Sequence, residues 1–489
     1  AERPLDGAAV LFGLYDLNQA QEQLARALLT GGADIFVPVP AGAPPEGLRA
    51  YAVARDLGLP SRAAAPPPPR HDRDLARAAW ARDLPAPGFR GDGTFAVVSV
   101  ADERAELREA AREVLAAVRD GAPAWQCAVV VPHADDVEQA ASALAEAGLP
   151  VACRLPDRGA GARALARLAE CLVPPAGEPF ARRTVIDLLA AAPLRHGGEP
   201  GEMALWLDEA RQAGVVAGAE QWTSRLADRR RGLRSRLQRL EARGAEAVDD
   251  EDEVSGKAGL VRLRLVATES LLSVTSDLVR VCVAAPERGS WGTWAEFFAT
   301  VAEAVFDDET AAQARDAASR LRALDVLEED VDLAEAVAVL RESLTASRLP
   351  VGRVGRDGVA VLTPLEARGL GFHTVVFTGL AEGGFPSRGR PDPLLGDAER
   401  RRIATALGVR LPLAEQREAE SLLQFAFACE AAQARLELLA PRTSAADGRP
   451  RLPSRVLLRL ASWAAGRPVG LDKFLSGAPL RPVWRRLAG

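Results

Sequence analysis

The sequence predicts an α/β protein, with a parallel sheet interrupted by a large helical insertion. Two observations carry this expectation. At both ends of the chain, short apolar runs alternate with stretches of helical periodicity, the pattern of a parallel layer. Between about residues 160 and 350 the strand-like runs vanish, and amphipathic segments separated by breakers such as Pro193 replace them.

The elements follow in order. Ala8–Leu14 and Ile35–Val39 are apolar runs flanking a helical pattern over Asn18–Leu29 that Gly31-Gly32 stops. Residues 40 to 93 are rich in Pro, Ala and Gly, with four prolines at Pro66–Pro69, and predict a linker with a short helix or two. Phe95–Val100 predicts a strand. Asp102 is placed to cap a helix whose positions Leu107, Ala111, Val114, Leu115 and Val118 form one apolar face. Cys127–Val131 and Val151–Leu155 predict strands around a helix over Asp135–Ala147. Long helices follow, among them the strongly basic Arg225–Arg243, trailed by the acidic run Asp249–Glu253. Strands return at 359–363, 374–380 and 435–440, with helices over 397–407 and near 414–434. The expected domains are residues 1–93, 94–175, a helical insertion over 176–350, a resumed sheet over 351–460, and a linker over 461–489.

Composition narrows the function classes. No apolar stretch approaches the ~20 residues of a membrane span, and no secretory leader pattern opens the chain, so a soluble cytoplasmic protein is expected. A chain starting at Ala1 with Met203 as its single methionine reads as part of a longer protein. The net charge of −6 gives no global basic signature, so nucleic-acid binding must come from local patches. Only Lys257 and Lys473 are lysines among the 61 basic residues. Five scattered cysteines and four lone histidines have no metal-ligand spacing, and a structural role is expected for them.

The segment from Val361 to Pro386 resembles motif V and the following strand of superfamily 1 (UvrD-like) helicases. Thr363, Gly369, Leu370, Phe372, Gly379, Glu382, Gly383, Phe385 and Pro386 fit that pattern in one register. Leu11–Gln21, Gly214–Trp222 and Pro453–Leu460 are similar to stretches of the B subunit of AddAB-type helicase–nucleases. The resemblance implies RecA-like (P-loop NTPase-type) domains: the end of a first over 1–93 and a second split by the helical insertion. It also implies a role in resecting double-strand breaks for recombinational repair.

The chemistry of that family is thinned out here. G-x-x-x-x-G-K-[S/T] is absent; Gly256-Lys257 is followed by Ala258. The helicase His, Lys and Glu of motif V become Leu365, Arg368 and Gly371, and the motif VI arginine falls at Glu430-Ala431-Ala432, with Arg435 nearest. Such an arginine is worth on the order of 10³–10⁵ in rate. Neither lysine has an acid two residues before it, as a PD-(D/E)XK nuclease requires to hold Mg²⁺. The expectation is therefore a non-catalytic DNA-binding scaffold with no cofactor of its own. The resemblance assigns ATP to an active AddA-like helicase–nuclease partner, and Mg²⁺ and an iron–sulfur cluster to a nuclease domain beyond this chain. Thr363 and Arg368 are the expected DNA contacts at the turn after the motif V strand, with Arg229 and Arg236 on the basic helix as further candidates. Trp222, Trp291 and Trp294 are candidates for base stacking, with core packing as the plainer role. A fragment of an active helicase and a helical interaction protein without a DNA role stay open as alternatives.

Overall fold

In the computed structural model the described residues are 9–39 (apart from 16 and 18), 49–60, 69–78, 88–195, 202–244, 251–386, 392–409, 411–414 and 416–487. They form two compact units, one of residues 1–155 with 350–489 and one of 156–349.

The first unit contains β1 (Val10–Phe12), α1 (Gln19–Thr30), β2 (Asp34–Phe36), α2 (Arg49–Asp56), α3 (Asp72–Ala78), β3 (Phe95–Val100), α4 (Glu103–Arg119), β4 (Cys127–Val130), α5 (Val137–Glu146) and β5 (Val151–Pro156). The second contains α6 (Ala160–Leu172), α7 (Arg182–Leu189), α8 (Glu202–Gln212), α9 (Ala219–Gly244), α10 (Glu251–Val283), α11 (Trp291–Val305), α12 (Asp308–Ser319) and α13 (Leu333–Ala346). The chain continues through β6 (Arg348–Val351), β7 (Val359–Leu362), β8 (Phe372–Phe377), α14 (Asp397–Leu407), α15 (Gln416–Glu430), β9 (Ala432–Pro441), α16 (Arg455–Ala464), α17 (Leu471–Leu475) and β10 (Trp484–Arg486).

Eight strands form one sheet in the order β10-β3-β9-β8-β4-β7-β5-β6, and every pairing from β10 through β5 is parallel. Its central strands are apolar on both faces, as a sheet covered on both sides requires. Val98, Val100, Val129, Val376 and Leu439 pack with α4 and α5 on one face. Val97, Val130, Val375, Phe377, Leu436 and Leu438 pack with α15 and α16 on the other. The β3–α4–β4–α5–β5 run moves one way across the sheet and the β8–α15–β9–α16–β10 run moves back. Connections of a single handedness must then lie on opposite faces, as they do.

Several expectations change. β1 and β2 form a separate two-stranded parallel sheet, tied through Tyr15 and Ala50 to Leu423 and Phe427 of α15. Parts of the expected linker 40–93 are built into the fold. The buried Asp72 carboxylate accepts from the Arg90, Gly91 and Asp92 amides at 2.9, 2.7 and 3.1 Å, and Phe89 is in the core. Within the expected linker 461–489, the described residues 461–487 belong to the fold: Phe474, Leu480 and Val483 are buried and β10 extends the sheet beside β3. The second unit starts at Pro156 rather than 176, because α6 packs on α7, α12 and α13. Its described elements from α6 to α13 are helical, around Trp206, Trp222, Trp294, Phe298 and Phe306. No helix among the described residues is long and apolar enough to cross a membrane.

Candidate nucleic-acid interface

The turn after β7 is set by its own residues. Thr363 donates through its amide and hydroxyl to the Glu366 carboxylate, at 2.8 and 2.9 Å, so the hydroxyl expected to face DNA closes the turn. Gly369 takes a φ of +73°, where a side chain is strained, and its open side faces the Phe12 ring. Arg368 lies over the Tyr15 ring, 5.1 Å from its centroid, and that ring packs on Phe427 at 4.7 Å. Burial pushes the Tyr15 hydroxyl up, with the Arg368 charge opposing it. At Gly371 the exposed Gln433 side chain lies over the position a Cβ would take.

The glycines after β8 serve the backbone in the same way. Gly379 has a φ of +73° and donates its amide to Glu106 Oε1 at 2.7 Å. Burial holds the Glu106 carboxyl well above the ordinary range, opposed by that amide. Phe385 packs on Phe377 at 5.2 Å, and its carbonyl accepts from the Ser454 hydroxyl at 2.5 Å.

The charged residues near the expected nucleotide motifs serve the fold, and Asp102 is the cap the sequence predicts. Asp102 Oδ1 accepts from the Ala105 amide at 2.7 Å, which makes it the N-cap of α4. Glu103 pairs with Arg451 at 2.6 Å. Gly256-Lys257 lies inside α10, and the described element before it is the helix α9. Arg435, the nearest candidate to the motif VI arginine, closes a ring with Glu113 of α4, Glu437 of β9 and Arg485 of β10. Its Nη2 is 2.9 Å from Glu113 and its Nε 2.6 Å from Glu437. Arg485 reaches the same two carboxylates at 2.8 and 2.7 Å. Burial, with the neighbouring Glu113 charge, pushes Glu437 up to about 8. Burial also opposes ionisation of Glu113, but the hydrogen bond from Glu437 and both guanidiniums outweigh it and hold Glu113 below the usual range. The two carboxyls thus hold one proton between them beside two cations, an internal ion-pair cluster rather than a nucleotide contact.

No protein-family profile matches the chain, and no curated protein sequence matches it.

In the helical unit the two arginine candidates separate. Arg229 Nε donates to Glu209 at 2.9 Å, and Glu209 is fully buried, with Arg264 and Thr268 at 3.5 and 3.2 Å. Arg236 is exposed on the same helix. Trp222, Trp291 and Trp294 are all core residues, and Trp222 and Trp294 donate to the Phe180 and Val331 carbonyls. Among the described residues no three His, Cys, Asp or Glu side chains are grouped to hold a metal, and the five cysteines are buried. Sequence reasoning missed Glu209 and the Glu113–Glu437 pair. The one local signal for the pair was a glutamate inside the apolar run Leu436–Ala440.

Proposed function

We propose that the chain is a helicase-like, non-catalytic DNA-binding scaffold of an AddAB-type helicase–nuclease, with a RecA-like sheet split by the helical unit. One observation supports this most. Most positions that fit the helicase pattern are ones the backbone or core needs: Gly369, Gly379 and Gly383 at positive φ, and Phe372 and Phe385 buried, while Leu370 is exposed. Positions that depart from it are those that would reach nucleotide: Gly371 carries no side chain, with the Gln433 amide lying beside it, and the arginine nearest the motif VI site is locked between Glu113 and Glu437.

In this reading the chain acts in the cytoplasm beside a partner subunit that hydrolyses ATP. Arg368 and Arg236 meet phosphates, while Thr363 and Arg229 are taken up within the fold. The test is fluorescence anisotropy of the chain with blunt duplex, tailed duplex and single-stranded DNA over a salt series. Binding that weakens linearly in log–log form with salt supports the reading. No binding to any of the three at low salt refutes it. Arg368→Ala should flatten the salt slope by about 0.7–0.9 if its guanidinium neutralises one phosphate.

A further inference from the structure

The outer half of α9 carries Arg236, Arg239 and Arg243, all exposed. At 3.6 residues per turn these three fall within an arc of about 60° and span roughly 10 Å along the axis. The same line runs inward to Arg229 and Arg225, which are spent on the Glu209 carboxylate and the Gly214 carbonyl. Of the neighbouring arginines off this line, Arg231 pairs with Asp228 and Arg234 with Glu269 at 2.5 Å. Arg239 donates through Nε to the Ser235 carbonyl of its own helix, and among the described residues no carboxylate pairs with it. The helix macrodipole favours a cation in the last turn, which accounts for Arg243 but not for Arg236. Like charges at helical spacing cost helix stability, and among the described residues no carboxylate pairs with these three, which makes the line a place for an external anion.

From this line of charge we infer that the outer half of α9 docks the sugar–phosphate backbone of duplex DNA without reading its sequence. This rests on the DNA-binding function proposed above and names the element and the form of DNA. Two features favour duplex over single strand. Single-strand binders add aromatic platforms on which bases stack, and among the described residues of 156–349 no Trp or Phe is exposed. A rigid row of charges also suits a stiff duplex, which holds its phosphates in a fixed array. Gly232, on the same line with open space around it, lets a backbone approach closely.

The experiment compares the chain with its Arg236→Gln, Arg239→Gln, Arg243→Gln triple variant and the matching triple Lys variant, by anisotropy on blunt duplex and single-stranded DNA of equal length over a salt series. Circular dichroism melting checks the fold of each. The inference expects the Gln variant to lose about tenfold or more in duplex affinity, with a salt slope shallower by about two to three. Single-strand affinity should stay unchanged, and the Lys variant should restore the duplex slope. Unchanged duplex affinity and slope in a folded Gln variant overturns it, as does an equal loss on single strands. If the unaltered chain binds no DNA, both this inference and the function it rests on fall. If the unaltered chain binds duplex and the Gln variant binds it equally, this inference alone falls.

Discussion

Arg229 and Arg236 stand two helical turns apart on one face of α9, and a single neighbour decides what each does. Glu209, on α8, captures the first and leaves the second in solvent. Removing one partner of a buried charge pair leaves the other uncompensated, at a cost of roughly 3–5 kcal/mol for a fully buried pair. Arg229 is itself partly exposed and Arg264 stays near, so Arg229→Ala should cost about 2–3 kcal/mol, read as a lower urea midpoint. Its DNA salt slope should be that of the unaltered chain, and a shallower slope would place Arg229 at the DNA instead. Glu437 gives a second prediction. Its carboxyl titrates near 8 in the fold and in the ordinary acidic range when unfolded, so its contribution to stability is complete at low pH. That contribution is lost as pH climbs to about 8. The groups facing it are Glu113, Arg435 and Arg485. Glu437→Gln, which keeps an N–H donor and does not titrate, should gain stability relative to the unaltered chain between pH 5 and 8.5. The gain should be on the order of 1–3 kcal/mol. Parallel pH dependences of the two urea midpoints would contradict the shared-proton arrangement.

At the scale of elements, the sequence was most legible where a segment speaks for itself. β3, β4 and β8 are short apolar runs, and Asp102 caps α4 as its position before a periodic stretch suggests. It was least legible where a partner far along the chain decides. The face of α4 expected from Leu107, Ala111, Val114, Leu115 and Val118 packs on the core, but burial reaches further round the helix, to Glu106, Glu109 and Glu113 beside Ala110 and Ala117. Glutamates do not advertise burial, because what makes it tolerable is the Gly379 amide, Arg112, and the Arg435 and Arg485 guanidiniums. β10 was missed because three residues carry too little periodicity to register, and its inward-facing anchor is an arginine. That anchor predicts a local effect. Arg485→Ala should speed amide exchange across β10 and at Val97, whose amide donates to the Val483 carbonyl at 2.9 Å. The β8 amides, deeper in the sheet, should keep their protection; equal loosening of both would mean that Arg485 holds the whole sheet rather than its edge.

For the molecule as a whole, the parallel layering was readable because strands buried on both faces run apolar almost without interruption. The separate β1–β2 sheet was not, since two short apolar runs say nothing about which sheet they join. The same limit applies to chemistry. Sequence showed that Leu365, Arg368 and Gly371 depart from the helicase pattern, while only the fold shows Gln433 lying beside Gly371 and Arg435 held between two carboxylates. A motor's frame with its nucleotide-reaching positions taken up by packing and internal ion pairs is the central claim. The most direct measurement is ATP turnover by the purified chain, followed as phosphate release with and without duplex DNA at a salt concentration where binding is established. The account predicts DNA binding without DNA-stimulated release above the protein-free rate. Sustained turnover that DNA accelerates would contradict it.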